Sequence, residues 1–257
     1  MADLIDLSLD HGIARITLDR PDAANTIDLA LARQFLDIVA ALEESAPRAV
    51  VIAGRGRAFC AGGDVKAMAK ASDLGTYLDR LVTTFHEALR RLGALDAVLI
   101  AAVHGAAAGG GLGLALNADV RIATPEAKFL TAYEAVGLTP DSGVSYLLPR
   151  VIGIGRATAM SASGRQVDAE QALSFGLVTE VVPAEDLASR IDALAGAAAA
   201  RPQSHMSSTR RLLRGDADGA YARALDAERA ALVAAASAST EELIRAFAGR
   251  DAKKETA

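Results

Sequence analysis

Two glycine-rich segments hold the chemistry that this sequence can perform with its backbone. The first is Arg55-Gly56-Arg57-Ala58-Phe59-Cys60-Ala61-Gly62-Gly63-Asp64-Val65-Lys66, which follows an apolar run ending at Ala53. The second, from Val103-His104-Gly105 through Gly109-Gly110-Gly111-Leu112-Gly113 to Leu116, passes through small residues into an apolar helix. Glycines permit positive φ and close approach of a ligand to the main chain. A helix N-terminus adds unpaired N–H donors and the positive end of the dipole, so such a turn can hold negative charge. A dinucleotide fingerprint fits poorly: Leu116 stands where the third glycine belongs, and Asp119 comes too soon to reach a ribose. No Gly-Lys-Ser/Thr follows either turn, which removes a P-loop. Singly, each turn reads more economically as a tight connection between packed elements. The pair calls for a shared explanation.

The elements that would position these turns follow from periodicity. Ile5, Leu7 and Leu9 alternate with polar residues, and after His11-Gly12 the alternation resumes at Ala14, Ile16 and Leu18, which predicts a hairpin of two half-buried strands. Asp28 is placed to cap a helix carrying Leu31, Phe35, Val39 and Leu42 on one face, followed by the strand Ala49-Val50-Val51-Ile52-Ala53. A second cycle runs through a helix from about Leu74 to Leu92 into Val98-Leu99-Ile100-Ala101-Ala102-Val103. Nearly continuous apolar strands alternating with helices predict an α/β fold with parallel strands covered by helices. The chain after Ser142 reads as largely helical, with Pro202 as its clearest break. Its C-terminal part would serve as a lid or an oligomerisation layer, giving a core over residues 1–195 and a helical region over 196–257.

Composition narrows the function classes. The 257 residues are 51% hydrophobic, enough to bury a sizeable core. The 27 basic and 32 acidic residues are spread along the chain, so no basic face advertises nucleic acid or an anionic membrane. Any anionic ligand must be held by local groups. One cysteine, Cys60, cannot form an internal disulfide, and no Cys/His spacing suggests zinc. The N-terminal residues are acidic where a signal peptide is basic, and no apolar stretch is long enough to span a bilayer. These features point to a soluble, cytoplasmic protein without a resident metal or cofactor.

Phe59-Cys60-Ala61-Gly62-Gly63-Asp64 resembles the first signature of the crotonase (enoyl-CoA hydratase/isomerase) superfamily. Gly105 through Leu116, followed by Ala118-Asp119-Val120-Arg121-Ile122-Ala123, resembles the second. Arg20-Pro21 to Asn25, Gly153 to Gly164, Ala169-Gln171-Ala172 and Gly176-Leu177-Val178 fall in family order, so the resemblance covers nearly the whole chain. It implies a crotonase-like spiral of β-β-α units with a C-terminal trimerisation region, and a homotrimer or dimer of trimers. It also implies that the N–H groups of Gly63 and Gly110 bind the oxygen of an acyl-CoA thioester. Ala61, Asp64, Val65 and Lys66, together with Gly109, would then lie along the substrate, with Ala61, Val65 and Lys66 beside the adenine end of coenzyme A. Two preorganised donors stabilise an enolate oxygen more than the neutral thioester, at roughly 3 kcal/mol per donor in comparable acyl-transfer sites.

The backbone supplies this hole, so a side chain must move the proton. Family hydratases use two glutamates, and the matching positions here are Gly113 and Tyr133, neither of which can act as a carboxylate. Tyr133 would form a wall of the acyl pocket. Glu134 is displaced by one residue, which generally changes the direction a side chain faces, and is the reserve base. Gly137-Leu138-Thr139-Pro140-Asp141-Ser142-Gly143 resembles the family's enoyl-CoA isomerases, including those of phenylacetate degradation, in which an aspartate at the place of Asp141 shuttles the proton. The same four residues, Pro-Asp-Ser-Gly, are a strong turn sequence in which Asp141 or Ser142 would cap a helix starting near Val144. One carboxylate suffices to take a proton from C2 and return it at C4.

Three functions therefore follow: an acyl-CoA isomerase working through Asp141, an enoyl-CoA hydratase using Glu134, and a catalytically silent acyl-CoA binder. His104 and Cys60 read as structural, and His86 and His205 lie in helices with no partner apparent in sequence. Arg250, Lys253 and Lys254 are candidates to meet coenzyme phosphates, against the simpler reading of a solvated basic tail.

Overall fold

The computed structural model describes residues 4–215 and 219–255, without the side chains of 203 and 251–255. Lys253 and Lys254 thus fall outside the described side chains. The chain opens with β1 (Ile5–Asp10) and β2 (Ile13–Leu18), then α1 (Leu29–Ser45), β3 (Ala49–Gly54), α2 (Val65–Ala69), α3 (Leu74–Ala94) and β4 (Val98–Val103). It continues with β5 (Ala106–Ala108), α4 (Gly110–Asn117), β6 (Val120–Ala123), β7 (Lys128–Leu130), α5 (Val144–Ile152), α6 (Ile154–Ser163), β8 (Val167–Asp168), α7 (Ala169–Phe175) and β9 (Glu180–Val181). Four helices complete it: α8 (Ala184–Ala199), α9 (Gln203–Arg214), α10 (Ala220–Ala234) and α11 (Ala238–Glu255).

The main sheet has the order β1-β2-β3-β4-β6-β9, antiparallel only at the hairpin, and β5, β7 and β8 form a second, smaller sheet. The parallel strands follow from their sequence, since β4 is buried along its whole length. Alternate residues of β3 and β4 face two separate cores. Val50, Ile52, Leu99 and Ala101 pack toward α1 and α3, whereas Val51, Val98, Ile100 and Ala102 pack with Ile191 and Ala195 of α8. The predicted cap holds, Asp28 accepting from Leu31 N at 2.8 Å, and the structure adds a second, Asp73 accepting from Thr76 N at 2.9 Å. Phe35 and Phe85 pin α1 to α3 at a ring separation of 5.6 Å, a pairing worth about 1 kcal/mol beyond its buried area.

Two expectations need adjustment. The first strand is an edge strand in which only Ile5 is buried, and Leu7 and Leu9 are exposed. Its alternation marked a pleat, not a covered face. A boundary between 195 and 196 falls inside α8, and Leu232 and Ile244 belong to the same core as the strands. The last two helices fold back on their own chain, α10 against α3 and α11 against α2. Among the described residues no helix is long and apolar enough to cross a membrane, and no group of His, Cys, Asp and Glu could hold a metal ion.

Candidate active site

The two glycine turns meet at the C-terminal ends of β3 and β4. Parallel bridging joins them: Cys60 N donates to Ala106 O and Ala108 N to Cys60 O, both at 3.0 Å. Buried Asn25 braces the first turn from behind, its Nδ2 lying 3.0, 2.8 and 3.2 Å from the carbonyls of Arg55, Ala58 and Phe59. Gly62, at φ 95°, stands so close to the second turn that a methyl group on it would lie 2.7 Å from Ala108 O and 3.4 Å from Gly110 N. Only glycine tolerates both the conformation and the approach. Gly110 is the first residue of α4, whose first helical bond runs from Gly113 N to Gly109 O at 3.0 Å. Among the described residues the N–H groups of Gly63 and Gly110 have no partner. Both residues line one cavity, so two free donors and a helix N-terminus are available there to a developing oxyanion.

That cavity, of about 110 Å³, is walled by apolar side chains of α2 and α3 (Met68, Leu78, Leu81, Val82 and Phe85) and by Val136 and Leu138. Leu232 of α10 and Phe247 of α11 complete it. Among the described residues Asp141 is the one acidic side chain in the lining. A methyl group on Gly110 would sit 3.9 Å from Asp141 Oδ1, so the carboxylate lies beside the second donor. Oδ1 accepts hydrogen bonds from Ser142 Oγ at 2.6 Å and from the Tyr133 hydroxyl at 3.1 Å. Burial and the neighbouring Asp141 charge hold the Tyr133 hydroxyl well above its ordinary pKa, so it remains a donor.

The capping role offered by the Pro-Asp-Ser-Gly sequence is not the one adopted. Helix α5 has no side-chain cap from its own turn, and the Asp141 main-chain oxygen, not its carboxylate, accepts from Val144 N at 3.1 Å. The cap comes from Glu228 of α10, which accepts from Gly143 N, Ser145 N and Ser145 Oγ at 2.8, 2.8 and 2.5 Å. His86 of α3 accepts from Ser142 N at Nε2, 3.1 Å away. With a proton pointing at it, Nε2 is unprotonated, and burial lowers the His86 pKa to match. The 4.0 Å approach of Glu228 to Nε2 is therefore not an ion pair.

Of the residues singled out from sequence, Gly63, Gly110, Asp141, Ala61, Val65, Gly109 and Tyr133 line the cavity, and Asp64, Lys66 and Glu134 do not. Asp64 caps α2 through Ala67 N at 2.9 Å and pairs with Arg20, so its carboxylate is structural. Lys66 is an exposed residue of the same short helix. Glu134 is exposed in a single turn of 3-10 helix and lies against Gly164 and Thr131, outside the cavity lining. Close packing at Gly113 explains the missing carboxylate there: a methyl group would meet Ser142 Cβ at 2.4 Å and Ser142 O at 2.6 Å. The Asp141 turn occupies the space that a side chain on α4 would need. His86 and Glu228 were not recognisable as site residues, because their partners lie 56 and 85 residues away. His104 and Cys60 are structural as expected, bonded to Gly56 O at 2.9 Å and Asn25 O at 3.1 Å, with burial pushing the Cys60 thiol up to about 12.

A mixed fold of strands and helices that pairs two donor turns over an apolar cavity is matched by similar proteins. The family model described as enoyl-CoA hydratase/isomerase matches residues 8–254, and the chain belongs to that family, the crotonase family of enzymes. It is 36% identical over 208 residues to the 1,2-epoxyphenylacetyl-CoA isomerase of Escherichia coli K12, covering 79% of this chain and 78% of that protein. It is 38% identical over 185 residues to a probable enoyl-CoA hydratase of Rhodobacter capsulatus, covering 71% and 70%. The solved enoyl-CoA hydratase of Bacillus halodurans superposes with a TM-score of 0.87 at 25% identity, over 95% of this chain and 100% of that one.

Proposed function

We propose that this enzyme is an acyl-CoA isomerase that shifts a double bond, Δ3 to Δ2 in an enoyl group or within a ring-derived acyl group, with Asp141 as the single proton shuttle. The observation that carries the reading is the placement of one carboxylate, Asp141, beside Gly110, with Gly113 sterically closed to a second. The thioester oxygen would rest on Gly63 N and Gly110 N. Asp141 takes the proton from C2 as charge moves onto that oxygen, and the same carboxyl group returns a proton at C4 of the dienolate, so no net proton is consumed. The isomerase named among the relatives supports this assignment, and the aromatic walls Phe85, Tyr133 and Phe247 suit a flat or cyclic acyl group. Ala61 and Val65 would flank the pantetheine arm, with Lys66 near the adenine end in a homotrimer or dimer of trimers.

Deuterium exchange at the alpha and gamma positions of a panel of acyl-CoAs tests the reading. An isomerase exchanges both positions of its substrate and interconverts the two enoyl isomers. Loss of the conjugated absorbance of crotonyl-CoA would instead indicate hydration, and tight binding without exchange would indicate a silent binder.

A further inference from the structure

The buried polar groups that the proton shuttle does not itself use gather under one turn. Ser142 has φ 59° and Gly143 φ 83°, so two successive residues are left-handed, the first of them at a cost because it carries a Cβ. Such a turn persists only where its surroundings hold it. Val144 N bonds within the turn to Asp141 O, and the other three main-chain donors are taken by elements remote in sequence: Ser142 N by His86 of α3, and Gly143 N and Ser145 N by the two oxygens of Glu228. The Ser145 hydroxyl adds a fourth bond, also to Glu228. Glu228 is 4% exposed, and its ionised form, a strong acceptor at both oxygens, suits its three hydrogen bonds best.

We propose that Glu228 is the positioning residue of this site: its carboxylate, reaching in from α10, clamps the left-handed Ser142-Gly143 turn and thereby fixes Asp141 beside Gly110. The clamp also serves as the external cap of α5, which lacks one of its own. It gives the C-terminal region a task beyond closing the cavity. The proposal rests on Asp141 being the base, and it adds a pH dependence that the base alone does not dictate. The groups facing Glu228 are His86 from α3 and Asp141 and Tyr133 from the segment ahead of α5. On its own helix Arg229 is turned to Asp79 of α3, and Tyr221 stacks on Tyr146 of α5. No cation neutralises Glu228 among these, and burial pushes its carboxyl pKa up from 4.5 to about 7. The clamp is thus engaged above neutrality and released below it.

The test is the pH profile of kcat for alpha-proton exchange in the wild type, Glu228→Gln and Ser145→Ala. The wild type should lose kcat as pH falls through about 7. Glu228→Gln should lower kcat by about 10²-fold at pH 8, as expected for a small misplacement of a catalytic group, with KM changed less than about threefold and no inflection near neutrality. Ser145→Ala removes a hydroxyl bond that favours the ionised carboxylate, so its inflection should move to higher pH. If Glu228→Gln keeps the wild-type kcat and inflection, the proposal is overturned; should that variant not fold, an unmoved inflection in Ser145→Ala overturns it instead. Asp141→Asn separates the two readings. Full exchange in Asp141→Asn sinks the assignment of the base, whereas loss of exchange there with an unaltered Glu228→Gln sinks the clamp alone.

Discussion

The two halves of this site are built by different means. The donor pair at Gly63 and Gly110 is made of main chain, set by glycines in two short segments and locked by bonds between those segments. The Asp141 half is made of side chains, and its geometry is imposed by α3 and α10 from far along the chain. A backbone hole needs only the right turns next to each other. A carboxylate that must reach both ends of a reacting allylic system needs its rotamer and its turn defined from outside, and here two left-handed residues are held for that purpose.

The largest effect should come from removing the one group that moves protons. Asp141→Asn is expected to lower kcat by about 10² to 10⁴-fold, the usual contribution of a positioned acid–base group, with substrate affinity retained by the donor turns. Isothermal titration with a non-isomerisable acyl-CoA, alongside the exchange assay, would check both parts. Weakened binding in step with lost turnover would mean that the two halves are not separable in this way.

Glu228 should show the opposite relation between activity and stability. Its carboxyl pKa is raised in the folded state, so folded protein binds that proton more tightly than the unfolded chain. The stability it contributes is therefore fully present below about pH 4.5 and is lost as pH rises through about 7, where the ionised clamp is needed. Denaturant unfolding of wild type and Glu228→Gln at pH 5 and pH 8 should show the wild type losing ground by on the order of 2 kcal/mol across that interval. A constant difference between the two would show that Glu228 does not titrate in this range.

How much of this was legible follows the same division. The hairpin, the helix capped at Asp28, the parallel strands and both glycine turns are local patterns, and sequence periodicity is a local signal. Asp141 emerged only through family resemblance, since Pro-Asp-Ser-Gly taken alone reads as a cap. Glu228 lies within an Ala-rich helix among other charges, and nothing in its surroundings along the chain separates it from a solvated face. Asp64 and Glu134 illustrate a related point: adjacency to a motif does not fix which way a side chain points, and one caps a helix while the other is exposed.

Gly113 is where the two halves touch. Any side chain there meets Ser142, main chain included, so Gly113→Ala should cost about 1 to 3 kcal/mol of stability through overpacking and should displace the Asp141 turn. Thermal melting together with kcat would register both. The same contact argues that Gly113→Glu will not yield a hydratase, because the carboxylate cannot enter without expelling the turn that holds Asp141. Measurable hydration of crotonyl-CoA by that variant would show that the turn yields more readily than its clamp suggests.

The smallest effect distinguishes the two supports of Asp141 from each other. The Tyr133 hydroxyl shares its proton between Asp141 O at 3.0 Å and Oδ1 at 3.1 Å, and it stays protonated across any practical assay range. Ser142 also donates to Oδ1, so Tyr133→Phe leaves one hydroxyl in place, and the expected loss is about tenfold in kcat, the value of one hydrogen bond to a charged group. Because Tyr133 does not titrate where Glu228 does, that loss should be the same at pH 6 and pH 8, and the wild-type inflection should survive. A ratio that changes with pH would mean that Tyr133 and Glu228 act on Asp141 as one coupled unit, and the side-chain half of the site would then be a single network instead of a base with two independent supports.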